Sequence, residues 1–165
     1  MKNIFRLFLS TLLLSIVLSS PAFSKETQGR LGLGYNSEFG NASNASNIPA
    51  VSIKYALTRD LAASLVAGVV GSSSMSSVIA VKGYKNLFLE KNLNFYFTFG
   101  LGIVNAEGSR GTEVITGFGS EFFFPGLESL GFSFETGVSF NNLSGSFKIR
   151  TIGMSFLNAG IHFYF

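Results

Sequence analysis

Apolar residues fall on every second position through most of this chain. In LNFYFTFGLGIV, positions 93–104, Leu93, Phe95, Phe97, Phe99, Leu101 and Ile103 share one parity, while Asn94, Tyr96, Thr98, Gly100 and Gly102 share the other. A helix would scatter the first set around its circumference, whereas a strand sorts the two sets onto opposite faces. The same sorting occurs eight times. Leu31, Leu33 and Tyr35 oppose Arg30, Gly32 and Gly34; Val51, Ile53, Tyr55 and Leu57 oppose Ser52, Lys54 and Ala56; Leu61, Ala63, Leu65, Ala67 and Val69 oppose Ala62, Ser64, Val66 and Gly68. The fourth segment is the faintest, with Ile79, Val81 and Gly83 against Ala80, Lys82 and Tyr84. After the Phe-rich fifth come Val114, Thr116, Phe118, Ser120 and Phe122 against Glu113, Ile115, Gly117, Gly119 and Glu121, then Leu130, Phe132, Phe134, Thr136, Val138 and Phe140 against Gly131, Ser133, Glu135, Gly137 and Ser139. The eighth sets Leu157, Ala159, Ile161, Phe163 and Phe165 against Asn158, Gly160, His162 and Tyr164.

The connections alternate too. TRD (58–60), LEKN (89–92) and PGLES (125–129) read as tight turns, whereas 36–49, 72–77, 105–111 and 141–153 read as longer, more polar loops. Short turns at one end and long loops at the other are the pattern of an up-and-down transmembrane barrel. The sequence therefore predicts an all-β protein, an eight-stranded antiparallel β-barrel spanning residues 25–165, with both termini at the short-turn, periplasmic end.

Residues 1–24 do not belong to that fold. Lys2 and Arg6 precede an apolar run, LFLSTLLLSIVL (7–18), and the small-x-small pattern Ala22-Phe23-Ser24 ends the segment, so a cleaved secretory signal peptide is expected, with the mature chain beginning at Lys25. No cysteine follows the run for lipid attachment. Removing 1–24 takes two of the twelve Lys and Arg residues and none of the nine Asp and Glu, which leaves a net charge of +1. A chain so nearly neutral has no electrostatic footprint for nucleic acid. With no cysteine at all, an exported chain cannot rely on disulfides.

Composition then decides which face is outside. Charged residues are only 13% of the chain, Phe occurs 19 times and Trp is absent, and no stretch after the signal peptide reaches the roughly 18 apolar residues of a membrane helix. The interior of an eight-stranded barrel is just wide enough for side chains to fill. Rows of Phe and Leu would overfill it, whereas rows of Gly, Ser, Thr and charged residues fit. The reverse arrangement would leave a water-soluble barrel far short of the roughly 25–35% charged surface expected in water. Apolar-out is the better solution, with hydrocarbon as the exterior solvent. Inside a bilayer each unpaired backbone group costs several kcal/mol, so the eighth strand must pair with the first.

The closing AGIHFYF and the hairpin EFFFPGLESLGFSFETGVSF make residues 28–165 resemble the small OmpA/OmpX-like outer membrane beta-barrel superfamily of diderm bacteria. That resemblance implies an outer-membrane location, outer-membrane lipids as partners, and recognition of Ile161, Phe163 and Phe165 by the barrel-assembly machinery. The chain departs from the pattern in having no Trp for an aromatic girdle, and no peptidoglycan-binding domain is expected after the barrel.

The inward charges are the candidate site. Counted from the short turns, Lys54, Lys82, Glu121 and Glu135 lie at similar depth, with Arg30 and His162 near the same rim. Glu121 and Glu135 flank one hairpin, so cations must reach them, and Lys54 stands across the barrel. A lumen network of Glu121 and Glu135 with Lys54, Lys82 and Arg30 is expected, and buried charges of this kind are tolerable only when paired. Its bland role is to plug the barrel; its sharper one is a gate that switches partners. His162 is the only histidine, so a metal site lacks a second imidazole, and it reads as a hydrogen-bonded lumen residue beside Tyr164. The Gly-x-Gly pairs 32/34, 100/102 and 117/119 precede no helix and so fail as phosphate loops; they read as room for larger lumen side chains. No cofactor, metal or catalytic group is expected. The function that follows is that of a monomeric, non-enzymatic outer-membrane barrel serving envelope integrity or presenting surface loops. The alternative is a narrow pore or transporter for small, including hydrophobic, solutes.

Overall fold

The computed structural model describes residues 27–37, 48–71, 75–106, 108–152 and 157–165. The signal peptide and its cleavage site, and the centres of the connections at 36–49 and 72–77, lie outside these residues. The described chain is all-β: β1 (Leu31–Asn36), β2 (Ala50–Ala56), β3 (Leu61–Val70), β4 (Ser76–Leu89), β5 (Leu93–Ala106), β6 (Ser109–Phe123), β7 (Leu130–Leu143), β8 (Ser146–Thr151) and β9 (Asn158–Tyr164). Each consecutive pair from β1 to β7 is an antiparallel hairpin.

The eighth stave is built from two strands. β8 pairs with the far half of β7, where Asn142 faces Phe147, and β9 pairs with the near half, where Phe132 faces Ile161. β9 also pairs with β1, Leu33 facing Phe163, and so closes the ring. The closing seam extends to Phe165, which exchanges backbone hydrogen bonds of 3.2 and 3.0 Å with Leu31. The barrel predicted from alternation is thus present, eight staves around and closed through β9, while β8 pairs with β7 alone among the described residues.

Two of the expected long loops are corrected. β5 and β6 run nearly to the turn at Gly108, and β7 continues through the NNL that read as loop, turns at Ser144–Gly145, and returns as β8. Both turn residues have positive φ, 48° and 81°, the backbone of a two-residue hairpin whose twist matches its flanking strands. Asn, Ser and Gly signal a turn correctly there; what they do not signal is that strands continue on either side of it.

Closure staggers the staves. Stepping from Tyr35 through paired residues of β2 to β6 reaches β7 at Asn142, whereas stepping the other way through β9 reaches it at Phe132. That offset of ten residues is the barrel's shear, and a sheared cylinder must tilt its strands by about 35–45°. The tilt brings inward residues from distant staves to one level.

The face assignment follows burial. Large apolar side chains are exposed on every stave, among them Leu33, Val51, Leu65, Val81, Leu101, Phe118, Phe134, Ile149 and Phe163, while Lys54, Lys82, Glu121 and Glu135 are buried. On the outer face of β5 to β7 the phenylalanines pack against one another, with ring centroids 5.6 Å apart for Phe97 and Phe118 and 5.5 Å for Phe124 and Phe132. Such pairs add about 0.5–1.5 kcal/mol each beyond area burial, in a chain with no disulfides.

Candidate functional site

The half of the lumen nearer the chain ends is filled by charges and tyrosines. Lys54 on β2 reaches directly across to Glu121 on β6, its Nζ donating to Oε2 at 3.0 Å. Lys82 on β4 donates to Glu135 Oε2 on β7 at 2.7 Å. Each carboxylate keeps its second oxygen for a tyrosine: the Tyr164 hydroxyl donates to Glu121 Oε1 at 2.7 Å, and that of Tyr96 to Glu135 Oε1 at 2.7 Å. None of the Lys82 surface is exposed.

Tyr84 ties the two pairs together. Its ring lies 4.6 Å from Lys54 Nζ and 5.0 Å from Lys82 Nζ, and its hydroxyl is 3.1 Å from Ser64 Oγ. Lys54 also lies over the rings of Tyr96 and Tyr164, at 5.4 and 5.8 Å. A cation between aromatic faces is attracted by their quadrupoles, more so when desolvated. The arrangement divides the charge evenly, one lysine to each glutamate, and relieves the repulsion that two carboxylates flanking one hairpin would otherwise feel.

Arg30 meets that cluster at its edge, with its guanidinium 6.0 Å from the centre of the Tyr164 ring. It lies at the rim, where its guanidinium donates to the Tyr164 carbonyl at 3.1 Å and to Ser129 Oγ at 3.4 Å, and so fastens the closing strand rather than filling the lumen. His162 points inward beside Tyr164, with ring centroids 6.1 Å apart. Its Nε2 is 3.0 Å from Ser52 Oγ and its Nδ1 is 3.7 Å from Glu121 Oε1. Ser52, His162 and Glu121 thereby stand in the order hydroxyl, imidazole, carboxylate used in nucleophilic catalysis. The second separation is too long for a hydrogen bond, Glu121 is already engaged by Lys54 and Tyr164, and Ser52 is 2% exposed. A nucleophile must meet its substrate, so the geometry supports packing rather than acyl transfer.

Inward glycines create the space these side chains occupy. A Cβ on Gly34 would lie 2.2 Å from the His162 ring, one on Gly32 2.8 Å from the Tyr164 ring, and one on Gly119 2.7 Å from the Tyr96 ring. Gly117 serves a different purpose: its Cβ would strike the Thr136 carbonyl of the neighbouring strand. There glycine permits close backbone approach rather than room for a side chain.

The far half of the lumen is different in kind. Inward residues of the staves, Ala50, Val66, Val78, Ala80, Val104, Ile115 and Leu143, form one buried apolar cluster with Ile48 and Ile152. Ile48 comes from the segment entering β2, and Ile152 from the end of β8, where its N–H donates to the Gly137 carbonyl at 3.0 Å. Glu113 reaches the same level from β6, fully buried, and its carboxylate accepts a hydrogen bond from Ser139.

Sequence reasoning about the charges passed over Glu113, the three tyrosines and this apolar layer. Glu113, Tyr84, Tyr96, Tyr164, Val66 and Ile115 all stand at inward parity, so the signal existed; Ile48 and Ile152 lie outside any alternating run and carried none. The residues of the expected assembly signal, Ile161, Phe163 and Phe165, lie on the outer face and are exposed. Among the described residues no cluster of His, Cys, Asp and Glu could hold a metal ion.

No protein-family model and no curated protein sequence matches the chain. Among solved structures, the crystal structure of the N-terminal β-barrel domain of Pseudomonas aeruginosa OprF is similar, with 20% identity over 84% of this chain and 98% of that chain and a TM-score of 0.55. A likeness at that identity shows the fold alone, an eight-stranded β-barrel.

Proposed function

We propose that this protein is an integral outer-membrane barrel with a filled lumen, held among outer-membrane lipids as a monomer and serving the envelope as a structural or loop-presenting element. The observation that carries the reading is the inversion of the surface: large apolar side chains are exposed on every stave while paired charges are buried within. Soluble monomers rarely expose an apolar patch beyond about 300–600 Å², and a belt around a whole barrel exceeds that. In hydrocarbon the same belt is correctly solvated, and β9 closes the ring by pairing with both β1 and β7. On this reading both termini are periplasmic, the segment 1–24 directs export, and Ile161, Phe163 and Phe165 present the terminal strand to the assembly machinery.

The rival role, a narrow pore or transporter, needs a continuous path. The Lys54–Glu121 bridge and the buried apolar cluster beyond it both occupy the lumen, which favours a filled barrel over a pore. Planar-bilayer recording on refolded residues 25–165 separates the two. A trace at the level of the bare membrane is expected; regular single-channel steps from the unaltered chain would establish the pore and overturn the filled-lumen role.

A further inference from the structure

The ion pairs are the conspicuous obstruction, yet they are a poor seal by themselves. Charged and hydroxyl groups can offer an entering ion replacement partners, so pairing alone does not exclude one. A constriction of apolar side chains blocks ions differently: water leaves it, and an ion cannot enter without losing its hydration.

We infer that the barrier to ions in this barrel is the apolar layer of Ile48, Val66, Val78, Val104, Ile115 and Ile152, and that the Lys–Glu pairs beneath it set stave register without sealing the lumen. The inference rests on the filled-lumen reading and specifies which part of the filling does the sealing. Three observations carry it. Val104, Ile115 and Ile152 have none of their surface exposed, and Val66 and Val78 have 1% each, so the layer is packed rather than open. Its members come from β3, β4, β5 and β6 around the wall and from the two segments flanking β2 and β8. Ile48 and Ile152 stand just outside β2 and β8 and complete the layer, Ile152 fully buried past Thr151 with its backbone held by Gly137. Of the polar groups at that level, Glu113 is fully buried with its carboxylate engaged by Ser139, and the buried amides of Asn36 and Asn141 carry no charge.

The two layers can be opened separately. Val66→Thr with Val104→Thr preserves side-chain shape and adds a hydroxyl at two points of the apolar layer; Ile115→Ser with Ile152→Ser wets it more severely; Glu135→Gln removes one charge from the pairs below. Each is refolded, its folded fraction read from the mobility difference between unheated and boiled samples, and its current recorded in planar bilayers. The expected result is that Glu135→Gln stays at the wild-type baseline while the Thr pair raises ion current at least ten-fold and the Ser pair further. Current from Glu135→Gln together with silence from a folded Thr pair would overturn the inference while leaving the filled-lumen role intact. Current from the unaltered protein would instead overturn that role itself. The Thr pair, nearly isosteric with valine, keeps the test decisive if the Ser pair does not fold.

Discussion

Replacing Glu135 with alanine is expected to destabilise the barrel by about 3–5 kcal/mol, because it strands a buried cation without its partner. Lys82 has no exposed surface, and the 2.7 Å bond to Glu135 and the 2.7 Å bond from Tyr96 end on that one carboxylate. Urea unfolding of micelle-bound protein, followed by tryptophan-independent readouts such as circular dichroism or gel mobility, measures the loss. Most of the loss is expected to be recovered when both charges go and Tyr96 keeps an acceptor, as in Lys82→Met with Glu135→Gln. If the single substitution costs less than about 1 kcal/mol, the level of a surface ion pair, the pair is hydrated and the packed lumen described here is wrong.

Deleting residues 158–165 has the larger structural consequence. β9 is paired on both sides, to β1 through Leu33 and Phe163 and to β7 through Phe132 and Ile161. Its removal frees two strand edges at once and takes His162 and Tyr164 from the lumen, the latter a hydrogen-bond donor to Glu121. Unpaired backbone in hydrocarbon costs several kcal/mol per group, so no folded, heat-modifiable species is expected on gels of the truncated chain. Phe165→Ala offers a milder comparison: the backbone exchange with Leu31 survives, and refolding in detergent should match that of the unaltered chain. Any slowing of its assembly in cells then reports recognition of the terminal side chains rather than stability.

Much of this architecture was legible because alternation in a barrel is a two-sided constraint. Lys54 and Leu65 could be sorted to opposite faces from parity alone, and volume decided which face was inside. The pairing of Lys54 with Glu121 required one further step, since staves two and six of eight stand opposite. Other features resisted for physical reasons. Ile152 is buried just past the end of β8, outside any alternating run, so no parity marked it as inward. Arg30 has inward parity yet binds the rim, because a long guanidinium finds carbonyl and hydroxyl acceptors at the closing seam before it reaches the glutamates. The apolar layer was hidden in plain view: Val66 and Ile115 interrupt rows of Gly, Ser and charge, and only the tilt of the strands, which parity does not reveal, gathers them with Val78 and Val104 at one level.

The central claim is that the exposed side chains of this barrel are solvated by lipid. Refolding residues 25–165 from urea by dilution, once into buffer and once into phospholipid vesicles, tests it most directly. Native β-sheet circular dichroism and a heat-sensitive shift in gel mobility are expected only with vesicles, with aggregation in buffer. A compact, monodisperse monomer in lipid-free, detergent-free buffer, carrying the same β-sheet signal, would contradict the claim.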